Sequence, residues 1–375
     1  MEPLLDGVFG NPSGSHRFAR EARRHLDDAR DTVAELAGAH PSEVVFTSGG
    51  TEADDLAIGG VSGSGVPICS SVEHHAVLEP VLASGGATVP VHSDGRVDLE
   101  ALAQRLEQAD RPVSVVSVMA ANNETGAVND LHLVADTMAR HGAGVLLHSD
   151  AVAAAAWQDL SVTTASASLV SISGHKVGAP KGIGALVVRG DVPLKARLLG
   201  GGQERERRSG TPNVTGAVAL AAALAAVHAG RHRENARIEA LRERLVVGLT
   251  TAIPGLHLAS PADPSRRTPG TVLACVPGVD REALLFLLDE AGIAASWGSS
   301  CASGASEPSH VLAAMGIGPD LAGGALRLSL GWTTTESDVD AVLATVPAAV
   351  ARLRGDVAAD VGRSAPDHQR HESVV

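Results

Sequence analysis

Six short apolar runs, at residues 43–47, 66–70, 113–120, 144–149, 169–173 and 185–189, alternate with stretches of helical period over the first half of the chain. Alternation of this kind predicts a mainly parallel sheet covered by helices, with ligand sites at the carboxyl ends of the strands. Ahead of the runs, residues 16–38 have the pattern of an amphipathic helix rich in Arg and Asp. From 213 to 253 the period is helical again, with a polar interval at 231–235, and this long element could pass from the main body to a second unit. The second unit reads as strand 271–276, helix 281–291, strand 293–297, helix 308–315, strand 325–330 and helix 336–353, an α+β module. Residues 356–375 are polar and lack an apolar period, so a disordered tail is expected there. The expected division is a large domain over 17–235 and a small C-terminal domain over 236–355, with 1–16 packing on the small one. No internal repeat is found.

Composition narrows the function classes. A chain of 375 residues with 44% hydrophobic residues supports a large core, but aromatics are 2% and tyrosine is absent, so packing rests on Ala, Val and Leu. The net charge of −13 argues against direct nucleic-acid binding. Cys69, Cys275 and Cys301 show no paired spacing, so neither a disulfide framework nor a metal site is expected. There is no charged-then-apolar leader pattern and no apolar run of membrane-span length, so a cytoplasmic protein without membrane contact is expected.

The basic residues carry more information than their number. Of 30, only Lys176, Lys181 and Lys195 are lysines. Where arginine supplies the surface charge, a remaining lysine is a candidate for work a guanidinium cannot do, such as Schiff-base formation. Lys176 follows the run Ser-Leu-Val-Ser-Ile-Ser through a Gly-His turn, and Asp150 ends the preceding run Gly-Val-Leu-Leu-His-Ser-Asp. An amine and an acid at successive strand ends suit pyridoxal 5′-phosphate, which needs a Schiff-base partner and a partner for its pyridinium nitrogen.

Other segments offer matching chemistry. Thr47-Ser48-Gly49-Gly50-Thr51-Glu52 could cradle a phosphate at a helix start, or be an ordinary strand-to-helix turn with a Thr cap. His74 could stack on a cofactor ring or sit at the surface. Asn122-Asn123-Glu124-Thr125-Gly126 could bond a ligand or form a turn. The charged run 203–208 ends in Ser209-Gly210-Thr211, whose donors could reach a phosphate on a neighbouring subunit. Cys301 lies in the small, polar stretch Gly298-Ser299-Ser300-Cys301-Ala302-Ser303-Gly304, where exposure and mobility suit a thiolate that picks up and delivers a group. Arg327, amid apolar residues, could grip a substrate carboxylate or close an internal ion pair.

Taken in order, these segments resemble the cysteine desulfurases, the NifS-like branch of the class V aminotransferase fold. The resemblance runs from Asn11-Pro12-Ser13-Gly14-Ser15-His16 to about Leu353, through Glu73-His74, Ser173-Gly174-His175-Lys176, Pro180-Lys181-Gly182-Ile183-Gly184 and Leu326-Arg327-Leu328-Ser329-Leu330-Gly331. It implies an α/β protein of PLP-dependent transferase fold type I: a mainly parallel large domain with a smaller α+β domain. It implies a homodimer that removes sulfur from L-cysteine, releasing L-alanine. By the same resemblance, Lys176 holds the cofactor and moves protons, Asp150 pairs with the ring nitrogen, and His74 stacks on the ring. Gly50, Thr51, Ser173 and His175 surround the phosphate, with Thr211 completing it from the partner. Asn123 and Arg327 hold the substrate carboxylate, and Cys301 becomes the persulfide. The acceptor implied is a scaffold or sulfur-carrier protein of iron–sulfur cluster assembly or thiolation. A selenocysteine lyase, a class V aminotransferase and a non-catalytic binding subunit are the alternatives. Two departures stand out. The family's Leu-Asp-x-x-Ala-Thr-Thr stretch does not precede Asn11, and Ala153 stands where the family's Asp-Ala-x-Gln has glutamine.

Overall fold

The structure, a computed structural model, describes residues 1–61, 65–142, 144–298 and 309–355. Cys301 and the expected tail at 356–375 lie outside the described residues. The chain opens with helix α1 (Glu2–Asp6) and the amphipathic helix α2 (Arg17–Ala37). His16 caps α2 by accepting the Ala19 N–H at 3.2 Å, and Gly38 closes it in the left-handed region at φ 63°, where a side chain would be strained. The apolar face of α2, including Leu26, Ala29 and Val33, enters the main core.

Strands and helices then alternate as the pattern predicts: β1 (Val44–Thr47), α3 (Gly50–Gly60), β2 (Val66–Ser70), α4 (His75–Ala83), β3 (Ala87–Val89), α5 (Leu99–Glu107) and β4 (Val113–Ser117). They continue with α6 (Leu131–His141), β5 (Leu146–Asp150), α7 (Leu160–Thr163), β6 (Leu169–Ser173) and β7 (Gly184–Val188). The seven strands form one sheet in the order β1-β7-β6-β5-β4-β2-β3. Neighbours from β6 to β3 are parallel, and β7 runs antiparallel to both β6 and β1. Helices cover both faces, which is why β6 and β7 are buried along their whole length and show no alternation of buried and exposed positions. α2, α5 and α6 pack on one face, and α3 and α4 on the other.

Helix α8 (Val214–Ala252) links two cores. Val214, Ala217, Leu220 and Leu224 join the main one; Ile238, Leu241, Leu245 and Leu249 join that of the second unit. The polar interval at 231–235 does not break the helix. Its polar groups find partners on the main body: Arg231 pairs with Asp159 at 2.7 Å, and Asn235 donates to the Trp157 carbonyl at 2.8 Å. One 18-residue window of α8 reaches a mean hydropathy of 1.4 and is, by length and composition, apolar enough to cross a membrane. That corrects the expectation that no segment is. Here the helix lays its apolar face along α2 and into both cores.

The second unit adds β8 (His257–Leu258), β9 (Thr271–Cys275), α9 (Arg281–Glu290), α10 (His310–Ala314), α11 (Pro319–Ala322), β10 (Ala325–Ser329) and α12 (Glu336–Arg354). Its antiparallel sheet has the order β10-β9-β8. The strand expected at 293–297 does not form. Only Ser296 pairs with Arg327, as an isolated bridge. β3 and β8 are too short to show a strand period. Residues 1–16 were expected on the small domain, yet Val8 packs against the main core.

A buried ion pair secures the edge strand β1. Arg30 on α2 donates to both carboxylate oxygens of Glu204 at 2.7 Å, and Glu204 also accepts the Phe46 N–H at 3.0 Å. Glu204, Arg205 and Glu206 all hold left-handed backbone angles, φ 48°, 57° and 64°, which cost non-glycine residues free energy unless neighbours fix them. Removing one partner leaves a charge buried alone, so Glu204→Ala is expected to cost about 3–5 kcal/mol of unfolding free energy in urea titration. A loss under about 1 kcal/mol would show that the pair does not hold the segment.

Candidate active site

The sheet delivers its polar residues to one end. Asp150 is the last residue of β5, buried, and accepts the Val152 N–H at 2.8 Å. β6 pairs in parallel beside it, with Asp150 opposite Ser171, and runs on to Ser173. A single 3-10 turn, Gly174–Lys176, follows. Parallel strands with ends in register therefore set Asp150 and Lys176 side by side, and the Lys176 charge acts directly on the Asp150 carboxyl. Burial still dominates, raising Asp150 to about 6.

His74 caps α4, its Nδ1 accepting the Ala76 N–H at 3.1 Å. Burial first, then the charges of His75, Lys176 and His310, lower it to about 4, so its ring is neutral near pH 7. A neutral imidazole beside Lys176 is fit to lie against a flat cationic ring. Helix α3 starts at Gly50 after Gly49, which caps it with no side chain, so its first N–H groups are available to an anion. A Cβ on Gly50 would lie 2.9 Å from Val152 and 3.4 Å from Ser173. Ser173 Oγ in turn lies 2.9 Å from His175 Nδ1. Gly50, Ser173 and His175 thus surround one small space, and Thr51 is exposed in the first turn of α3.

The second unit closes the other side. Arg327 on β10 donates from Nη1 to the Asn123 carbonyl at 3.4 Å, and its backbone pairs with Ser296. Glu124, buried, accepts the Ser309 hydroxyl at 2.6 Å and packs against Gly298, where a Cβ would come within 3.3 Å of it. His310 Nε2 reaches the Glu73 carbonyl at 3.0 Å. A cavity of about 710 Å³ lies between the units, lined by residues that include Asn123, Ala153, His175, Lys176, Arg327, Trp157 and Trp332. Thr211 does not join this group within one chain. It is exposed on a separate small cleft with Thr47, Ser48 and Gly210.

Among the described cysteines, Cys69 and Cys275 are buried, and burial pushes both thiols up, Cys275 to about 11. Neither is a nucleophile at neutral pH. Three acids were given no role from sequence: Asp54, Glu73 and Glu124. Two of them stood in runs already singled out, Glu-His-His and Asn-Asn-Glu. Asp54 had a signal too, as an acid between Ala53 and Leu56–Ala57 on the buried face of α3.

Residues 1–342 match the family model described as aminotransferase class-V. The chain belongs to that family. Family members depend on pyridoxal phosphate. The chain is 42% identical over 371 residues to the IscS-like cysteine desulfurase of Mycobacterium tuberculosis, which covers 95% of this chain and 93% of that protein. It is 41% identical over 366 residues to the cysteine desulfurase NifS of Azotobacter vinelandii, covering 94% of this chain and 89% of that one. A solved NifS-like protein superimposes with a TM-score of 0.85 at 32% identity, covering 94% of each chain. The family's cofactor suits the residues present: a helix start at Gly50 with no side-chain cap, beside Ser173, for a phosphate, a buried acid in Asp150 for a cationic ring nitrogen, and an amine in Lys176.

The buried acids give the apoprotein a pH signature. Burial holds Glu73 up at about 8, against 4.5 for the free group. The fold therefore keeps a proton that the unfolded chain loses, and this stabilisation, complete below pH 4.5, disappears as pH rises toward 8. His74 acts oppositely, adding stability as pH rises from about 4 to 6.5 and nothing further above that. Between about pH 6.5 and 8, apoprotein stability should fall, with Glu73 alone contributing about 1–2 kcal/mol. Chemical denaturation across that range should show the decline, and Glu73→Gln should flatten it by that amount. Superimposable profiles would contradict the assignment.

Proposed function

We propose that this chain is a cysteine desulfurase, which uses pyridoxal 5′-phosphate to take sulfur from L-cysteine, leaving L-alanine and a persulfide on Cys301. The observation that carries the reading is Lys176 set beside the buried Asp150 at adjacent strand ends. Gly50, Thr51, Ser173 and His175 hold the phosphate, Asp150 meets the ring nitrogen, and His74 covers the ring. When bound, the cofactor supplies an electron sink for the bonds broken at the substrate carbon. Lys176 anchors the cofactor and then carries a proton to and from that carbon. The Arg327 guanidinium, with Asn123, orients the substrate carboxylate. The Cys301 thiolate attacks the cysteine sulfur. A sulfur–sulfur bond forms, the carbon–sulfur bond breaks with its electron pair left on carbon, and a proton completes alanine.

Two further parts belong to the same proposal. Thr211, exposed and remote from Lys176 in its own chain, completes the phosphate site of a partner subunit, so the working form is a homodimer. The persulfide passes to an acceptor protein of iron–sulfur cluster assembly or thiolation. Cys301→Ser is expected to bind the cofactor and L-cysteine as the wild type does but to release sulfide at under about 1% of its rate, a loss typical of an absent nucleophile. Wild-type turnover by Cys301→Ser, with alanine as product, would remove Cys301 from the reaction.

A further inference from the structure

A buried polar layer that the proposed reaction does not use lies beside Asp150. His148, two residues earlier on β5, is fully buried, with Nδ1 2.8 Å from Ser117 Oγ on β4 and Nε2 3.0 Å from Ser171 Oγ on β6. Asp54, one turn into α3 and 1% exposed, places Oδ1 3.6 Å from His148 Nε2, and its carboxyl is bonded by the Ser171 hydroxyl. One helix and three strands are joined through these four side chains.

With His148 neutral, as its burial requires, two arrangements give every N–H and O–H of the Asp54–Ser171–His148 chain an acceptor. If Asp54 is ionised, Ser171 donates to it, His148 donates from Nε2 to Ser171, and Nδ1 accepts from Ser117. If Asp54 is protonated, it donates to Ser171, Ser171 donates to Nε2, and Nδ1–H donates to Ser117. The surroundings decide between them. The titratable groups facing Asp54 are Asp150 on β5 and Glu73 between β2 and α4, both acids. β1, β7 and α4, which also pack on α3, bring apolar side chains such as Val45, Leu186 and Val77 to that core. Asp54 Oδ1 has no hydrogen-bond partner among the described residues. A carboxylate there would be desolvated and repelled with no cation opposite it.

We propose that Asp54 is a positioning residue for Asp150: it stays protonated at neutral pH, donates through Ser171 to His148, and leaves Asp150 as the charged member of that pair of acids. The assignment rests on the reading in which Asp150 meets a cationic ring nitrogen, since a second negative charge beside it would spoil that match. Burial and the two neighbouring acids raise Asp54 well above the usual carboxyl range, and burial lowers His148 to about 3, so the imidazole is neutral. Lys176 acts on Asp150 and favours the charge there.

Infrared spectroscopy of apoprotein carrying carbon-13 in its aspartate carboxyls, with nitrogen-15 NMR of its histidines, tests the proposal without cofactor or activity. The aspartate label keeps Glu73 out of the signal. At pH 7.5 the wild type should show a protonated carboxyl band that Asp150→Asn retains and Asp54→Asn loses, and His148 should be the Nδ1–H tautomer. The Asp150 titration should keep its midpoint in Asp54→Asn, because one neutral group replaces another. A missing band, an Nε2–H tautomer, or a midpoint about one unit lower in Asp54→Asn would mean that Asp54 is charged and the proposal wrong. If Asp54→Asn does not fold, the tautomer and the band in Asp150→Asn still decide. Apoprotein that shows the band but never takes up pyridoxal phosphate would overturn the functional reading, and with it the purpose of the arrangement, while the protonation of Asp54 would stand.

Discussion

Everything at the site depends on keeping a carboxyl group, Asp150, buried at the carboxyl end of a parallel sheet. Such a group is costly to ionise unless positive charge is near. The fold supplies that charge by topology: β6 pairs beside β5, and one short turn beyond its end brings in Lys176. The sheet also explains why the neighbouring acids, Asp54 and Glu73, are raised while His74 and His148 are lowered. In each case desolvation disfavours the charged form.

The second unit reaches this site through polar contacts that cross from one core to the other. Arg327 touches the Asn123 carbonyl, Ser309 bonds Glu124, and His310 bonds the Glu73 carbonyl. Asn123, Glu124 and Glu73 all follow strands of the main sheet. Gly298 and Ser309, which flank the stretch containing Cys301 in sequence, both meet Glu124. Helix α8 supports the arrangement from behind by contributing its two halves to the two cores.

Much of this was legible in the sequence because parallel strands buried on both faces are unbroken apolar runs, and the residues after them stand out as polar. Asp150, His74 and Asn123 were found that way; Lys176 stood out also because lysine is scarce, and the role of Ser173 came only from the family resemblance. Arg327 stood out for another reason, as a charge inside an apolar strand. The misses have physical causes. β3 and β8 hold 3 and 2 residues, too few for a period. The run at 293–297 looked like a strand, but it makes only one bridge, Ser296 with Arg327. The polar interval in α8 had no explanation in the sequence because its partners, Asp159 and the Trp157 carbonyl, are distant along the chain. Asp54 and Glu73 were passed over because burial, not residue type, makes them unusual, and burial of a single acid is a tertiary property.

The account stands or falls on Lys176 as the cofactor's anchor. Protein loaded with pyridoxal phosphate, reduced with borohydride, digested and mapped by mass spectrometry, would locate the covalent adduct. The account predicts a single modified peptide carrying the adduct on Lys176. An adduct on Lys181 or Lys195, with Lys176 unmodified, would contradict it.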